Sequence, residues 1–156
     1  MMYEDVVADF AKRTIANLRA IRQMRHESDR APVYEVTQLI NSMLGLLVFP
    51  QQRYVDRIPT TPLVELERQG WPVPQVVGDY PQVSDLRGLV RMLRNAISHF
   101  NLEFHPSDDN EIDRLTVWNT EPRTGKVTWK AQLSVSDLDA ITERFVELLL
   151  NRETYR

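Results

Sequence analysis

The chain has 156 residues and no cysteine, and its net charge of −3 comes from 19 Lys and Arg against 22 Asp and Glu. This length suits one domain, and a content of 42% hydrophobic and 26% charged residues excludes disordered and fibrous classes. The lack of cysteine excludes disulfide bonds and a cysteine-bound zinc site. No apolar run approaches the roughly 20 residues of a membrane-spanning helix, and the acidic start does not resemble a secretory leader. We therefore expect one cytoplasmic domain over residues 1–156, without membrane association.

Two long helices are predicted in the first third of the chain. Over residues 3–27, apolar side chains recur every three or four positions without Gly or Pro, which indicates an amphipathic helix. Pro32 favours the start of a second helix, and the sequence after it is apolar on nearly all sides. The prediction is a buried second helix over 33–49, ended by Pro50.

The segment 50–82 holds six of the nine prolines, which forbids a long helix and favours extended or turn conformations. One short helix, from Pro62 to Gln69, is predicted within it. Ser84 is the predicted N-cap of a third long helix over 84–100.

After residue 100 the hydrophobic pattern changes from a helical period to a period of two. Alternating apolar and polar residues separated by turn sequences predict an antiparallel β-hairpin or meander over 101–134. Ser136 and Asp139 are a predicted capping box at the start of a last amphipathic helix over 136–151. The predicted fold class is mainly α, a helical bundle with a small antiparallel β-hairpin or meander inserted before the last helix.

The third long helix has one apolar and one basic face. When it is wound at about 100° per residue, the apolar residues from Val83 to Phe100 fall in one continuous arc of the helix surface. A basic face on a helix is most often solvated surface, but this one ends in a histidine near the helix C-terminus, a side chain that can transfer protons near neutral pH. The polar side carries Ser84, Arg87, Arg91, Arg94, Asn95, Ser98 and His99.

The run Arg94-Asn95-Ala96-Ile97-Ser98-His99 resembles the Arg-polar-x-x-x-His motif of HEPN domains, which are helical bundles found in prokaryotic toxins and antiviral ribonucleases. The blocks at 35–50 and 93–104 are also similar to signature blocks of an uncharacterised bacterial HEPN subgroup. The resemblance covers roughly residues 1–150.

The resemblance implies an endoribonuclease that uses no metal or other cofactor and assembles its site across a homodimer. Arg94 and His99 would act on the scissile phosphate of RNA. From the residues themselves, Asn95 lies one turn before His99, so its amide could orient the imidazole or donate to the substrate, and the basic face predicts Arg87 and Arg91 as substrate-binding residues. A histidine can take the proton of the attacking 2′-OH, and an arginine can hold two phosphate oxygens. The family also implies a role as a toxin or defence component, restrained by an antitoxin or a regulatory protein.

One histidine cannot be both base and acid in a single step, and Arg94 and His99 stand about 140° apart on an ideal helix. A two-fold axis that brings a second copy of the helix alongside would ease both difficulties. The alternative is a non-catalytic HEPN scaffold or regulatory module that binds a protein or a nucleotide. The net charge of −3 favours the module, whereas the intact Arg94 and His99 pair favours the enzyme.

Other combinations of side chains give weaker signals. The histidines at 26, 99 and 105 lack metal-ligand spacing, so no metal site is predicted. Trp118 and Trp129 could stack on bases, but aromatic side chains on a small sheet are expected in the core.

Overall fold

A computed structural model describes residues 3–26, 34–54, 56, 58–108 and 111–151. In this part of the chain, helices combine with an antiparallel sheet that precedes the last helix, as predicted. None of the described helices is long and apolar enough to cross a membrane. The elements in chain order are α1 (Tyr3–His26), α2 (Glu35–Tyr54), α3 (Leu63–Arg68), β1 (Gln75–Val76), α4 (Leu86–Ser98), β2 (Leu102–Pro106), β3 (Ile112–Thr120), β4 (Val127–Ser134) and α5 (Val135–Leu150).

Helix α2 is the centre of the helical layer, since it contacts α1, α4 and α5. Its nearly continuous apolar sequence explains this position, because a helix that is hydrophobic on most sides must be surrounded. At Gly45, an added Cβ would lie 2.7 Å from Cζ of Phe10 on α1, so glycine permits the close approach of the two helices. The buried apolar residues of α2 are Leu39, Ile40, Met43, Leu46 and Leu47.

The prediction that Pro50 ends the second helix is wrong, because α2 continues to Tyr54. A proline removes one backbone donor and strains the preceding turn, but it does not oblige the chain to leave the helix when the rest of the helix is held by packing. The predicted boundaries at residues 27 and 33 lie outside the described residues.

The described part of the proline-rich segment contains one short helix and one short strand. The short helix expected at 62–69 is α3, but β1 was not predicted. Gln75 and Val76 of β1 pair antiparallel with Gln132 and Ala131 of β4. A strand of two residues is too short to show alternation, so the sequence carries no signal for it.

With β1 included, the sheet in the described part of the chain has four strands in the order β1-β4-β3-β2. All neighbouring strands are antiparallel. The description mainly α therefore understates the sheet, which is one strand wider than the predicted meander. The additional strand comes from a segment that lies before the motif helix in sequence.

One face of the sheet packs on α4 and α5. Trp129 is 2% exposed, which confirms its predicted place in the core, while Trp118 is partly buried. Nδ2 of Asn119 donates to the backbone oxygen of Met92 at 3.0 Å, which joins β3 to the middle of α4. The buried apolar residues of β3 and β4 are Leu115, Val117, Trp129, Ala131 and Leu133.

Helix α5 begins directly after β4, and its capping box is formed by Ser134 and Asp137. Oγ of Ser134 accepts from the Asp137 amide at 3.0 Å, and the Asp137 carboxylate accepts from the Ser134 amide at 3.2 Å. The prediction of a box at Ser136 and Asp139 is wrong, because strand pairing reaches Ser134 and leaves no loop before the helix.

Asp139 instead belongs to a charged cluster that joins α1, α2 and α5. Nη1 of Arg22 lies 3.0 Å from Oε1 of Glu143, Nη2 of Arg22 bonds to Asp139, and Nε lies 3.7 Å from Oε1 of Glu35. Burial raises the pKa of the Asp139 carboxyl above its ordinary value; Arg22 opposes this shift and Glu143 adds to it.

Candidate functional site

The candidate site is on α4, and its position depends on how that helix begins. Oδ1 of Asp85 accepts from the Gly88 amide at 2.8 Å, so Asp85 is the N-cap. The prediction that Ser84 caps this helix is therefore wrong by one residue. Ser84 donates its hydroxyl to the Asp85 carboxylate at 3.1 Å, which supports the cap indirectly.

The two faces of α4 are divided as the helical period predicts. Its apolar face packs on α2 and β3, which turns the polar face away from the core. On that face Arg91, Ser98 and His99 are exposed, while Arg94 and Asn95 are partly buried. The buried residues of the helix are Leu86, Leu89, Val90, Leu93, Ala96 and Ile97.

Arg94 and Asn95 are bonded through their side chains. Nη1 of Arg94 donates to Oδ1 of Asn95 at 2.8 Å. On an ideal helix, Asn95 lies between Arg94 and His99, about 100° from the first and about 40° from the second. The hydrogen bond therefore connects Arg94 to a residue that lies between it and His99 on an ideal helix.

The Nε atom of Arg94 is buried and has no hydrogen-bond acceptor among the described residues. A buried donor without an acceptor is costly. The candidate site thus contains one charged group with an unmet bonding requirement.

His99 is the C-cap of α4, where its backbone amide donates to the oxygen of Asn95 at 3.1 Å. Its side chain is exposed. His105, by contrast, is engaged within the sheet, with Nε2 at 2.7 Å from Oγ1 of Thr116. Within the described residues, no group of three or more His, Cys, Asp or Glu side chains is placed to hold a metal ion.

Phe100 does not lie where the apolar arc predicts. The helix ends before it, and its side chain is 71% exposed with a backbone φ of 54°. The helical wheel places Phe100 on the apolar face only if the helix continues through it. No glycine or proline marks this helix end, so it could not be predicted from such a signal. Phe100 is thus an aromatic residue beside the motif that sequence reasoning did not select.

The guanidinium of Arg87 is used to hold the chain that follows α2. Its Nε donates to the oxygen of Ile58 at 2.9 Å, and its Nη2 donates to the oxygen of Asp56 at 2.6 Å. Arg87 and Arg91 also line an open groove of about 580 Å³ between α4, the segment 81–85 and β4. Of the two arginines, only Arg91 is exposed. Arg91 lines the groove and stands one helical turn before Arg94, the first residue of the motif.

Comparison with known proteins gives one match. A family model described as HEPN pEK499 p136 matches residues 1–156, which includes the whole of α4. No curated protein matches the chain, and no solved structure matches it.

Proposed function

Because this chain belongs to the HEPN family, which includes ribonucleases, we propose that it is a metal-independent endoribonuclease. Arg94, Asn95 and His99 are its catalytic residues. The observation that carries the proposal is the hydrogen bond that turns Arg94 towards Asn95, on the helix face where His99 is exposed. In this proposal, a cation that binds phosphate and a group that transfers protons act together near the C-terminal end of α4.

The chemistry is an attack by the RNA 2′-OH on the adjacent phosphate. His99 accepts the proton of the 2′-OH as the bond from oxygen to phosphorus forms. Arg94 binds the non-bridging oxygens, whose negative charge grows in the transition state. The bond from phosphorus to the 5′-oxygen then breaks, and that oxygen takes a proton from an acid. The products are a 2′,3′-cyclic phosphate and a 5′-hydroxyl.

The acid in this scheme is His99 of a second copy of the chain. The polar face of α4 is exposed at Arg91, Ser98 and His99, so a second α4 can approach there. The buried Nε of Arg94 lacks an acceptor among the described residues, so the hydrogen bond to Asn95 does not use the full bonding capacity of the guanidinium. A homodimer with its two-fold axis beside this face would place two histidines and two arginines in one cleft.

Arg91 and Arg87 contribute to RNA binding in different ways. Arg91 is exposed at the edge of the groove and is the residue placed to contact a phosphate directly. Arg87 has two guanidinium nitrogens bonded to backbone oxygens, so it adds positive charge to the groove. A toxin or defence protein of this kind would require a regulatory partner, since unrestrained cleavage of RNA would harm its own cell.

The test is incubation of the purified protein with RNA in EDTA, with His99→Ala and His105→Gln as matched variants. We expect His99→Ala to lose at least about 10²-fold in rate, the range of a general acid or base. His105→Gln should remain active, because His105 is bonded within the sheet. End-group analysis should find 2′,3′-cyclic phosphates. Equal activity in the wild type and His99→Ala would identify a contaminant and favour the non-catalytic scaffold.

A further inference from the structure

Phe100 closes the C-terminus of α4 in a conformation that normally uses glycine. The Asn101 amide donates to the oxygen of Ala96 at 2.8 Å, and the Phe100 amide donates to the oxygen of Ile97 at 3.1 Å. These two bonds define a Schellman motif, in which the residue at the Phe100 position takes a left-handed conformation. Its φ is 54°, and every other described residue with positive φ is a glycine. A bulky side chain is strained there.

Packing does not compensate for this strain. The side chain of Phe100 is 71% exposed, so the ring contributes little to the core. Glycine would remove both the strain and the exposed apolar surface. The needs of folding therefore give no reason for an aromatic residue at this position.

The backbone that carries the ring is nevertheless fixed next to the proposed catalytic His99. Phe100 directly follows His99, the exposed C-cap of α4. The oxygen of Asn101 accepts from the Trp118 amide at 3.1 Å, which ties the closing turn to β3. The backbone that carries the ring is therefore held from both sides, by the helix end and by the sheet.

An exposed aromatic ring directly after His99 fits a nucleotide whose base is not paired. Aromatic side chains stack on the bases of single strands, while cationic side chains follow the phosphates. A base within a duplex is already stacked and cannot offer its face to the ring. We propose that Phe100 stacks on an unpaired base next to the scissile phosphate. This inference rests on the proposed function, since it uses the same site.

The test measures binding separately from cleavage. A labelled single-stranded RNA oligonucleotide with 2′-O-methyl groups cannot be cleaved, because the attacking hydroxyl is blocked. We expect Phe100→Leu to weaken its binding about 10-fold, and Phe100→Trp to retain it. Leucine is the matched control, since it has a similar left-handed strain and apolar character but no aromatic face. Phe100→Gly should also bind weakly, although it should melt at a higher temperature than the wild type.

The outcomes distinguish this inference from the proposed function. If binding depends on an aromatic residue at 100 but unmodified RNA is not cleaved, the stacking role stands and the catalytic proposal fails. If His99-dependent cleavage occurs but Phe100→Leu binds as tightly as the wild type, the stacking role is overturned. Equal affinity for a duplex of the same sequence would overturn stacking on an unpaired base, because paired bases are already stacked. A fall in molecular mass of Phe100→Leu by light scattering would assign the ring to a subunit interface instead and overturn the proposal.

Discussion

Nη1 of Arg94 donates a hydrogen bond of 2.8 Å to Oδ1 of Asn95, the next residue in the chain. Two adjacent residues on a helix ordinarily point apart, so this contact bends the arginine around the helix. It restrains a long side chain before any substrate arrives, which lowers the entropy lost when a phosphate binds.

Replacement of Arg94 by lysine should therefore impair cleavage although the charge is kept. Lysine lacks the planar fork that binds two phosphate oxygens, and we expect kcat/KM to fall about 10²-fold. Asn95→Ala keeps the arginine but removes its restraint, so its loss should be smaller. Steady-state kinetics on a defined RNA measure both, and urea unfolding should change by no more than about 0.5 kcal/mol. A fully active Arg94→Lys would mean that Arg94 acts only through its charge.

A site shared by two chains predicts a particular behaviour of mixed dimers. A heterodimer of wild type and His99→Ala would have one histidine in its cleft, which cannot be base and acid at once. Its activity should be about a tenth of the wild-type value or less, rather than half. Differently tagged chains, co-expressed and purified by both tags, allow the measurement. Half activity, or a monomeric mass by light scattering at micromolar concentration, would contradict the shared site.

Binding of RNA should depend steeply on salt, with a measurable share from Arg91. Each phosphate neutralised on a single strand contributes about 0.7 to the slope of log affinity against log salt. Arg91→Ala should weaken binding and reduce this slope. Arg68→Ala, which removes an exposed arginine of α3, should change neither. Titrations by fluorescence anisotropy at several salt concentrations provide the slopes, and an unchanged slope in Arg91→Ala would exclude it from the RNA contact.

The start of α4 can be tested with two neighbouring variants. Asp85→Ala removes the side chain that accepts from the Gly88 amide, and we expect it to lower the free energy of unfolding by about 1 kcal/mol. Ser84→Ala removes only a hydroxyl that donates to the cap, so its effect should stay within about 0.5 kcal/mol. Urea unfolding of both variants measures these changes in the free energy of unfolding. A larger loss in Ser84→Ala would restore Ser84 as the effective cap.

The charged cluster around Arg22 predicts an unusual pH dependence. The pKa of Asp139 is raised in the folded chain, chiefly by burial, so ionisation of this carboxyl opposes folding. Its contribution to stability is fully present below the ordinary pKa of an aspartate and is lost as pH rises through the raised value. Because asparagine does not ionise, Asp139→Asn should not lose stability in this way as pH rises. It should be at least as stable as the wild type at pH 7.

Urea unfolding at several pH values between 4 and 8 tests this expectation. Arg22→Gln is the contrasting variant, because it removes the guanidinium that approaches Glu35, Asp139 and Glu143. It should destabilise the protein at pH 7. A wild type that is more stable than Asp139→Asn at pH 7 would show that the ion pair with Arg22 outweighs the burial of the carboxyl.

The sequence was informative where structure follows from local periodicity. The apolar and polar faces of α4 could be predicted because a helix repeats every 3.6 residues, and these faces determine which motif residues meet solvent. The hydrogen bonds of Arg87 could not, because they depend on where the chain at Asp56 and Ile58 passes α4. Such a contact spans about 30 residues and leaves no mark in a local pattern.

The ends of elements were the least predictable features. Helix α2 continues beyond Pro50, although proline usually ends or kinks a helix. The exposure of Phe100 follows from a helix end that lacks the usual glycine. In both places the preference of the residue type does not predict the conformation that the structure shows.

The segment between Thr61 and Leu86 begins and ends at one point, where its two ends are hydrogen-bonded to each other. The Leu63 amide donates to the oxygen of Ser84 at 3.1 Å, and the Leu86 amide donates to the oxygen of Thr61 at 3.0 Å. Both bonds use only main-chain atoms, so they hold whatever side chains occur there. The start of α4 is therefore anchored to the chain that precedes α3 as well as by its own cap at Asp85.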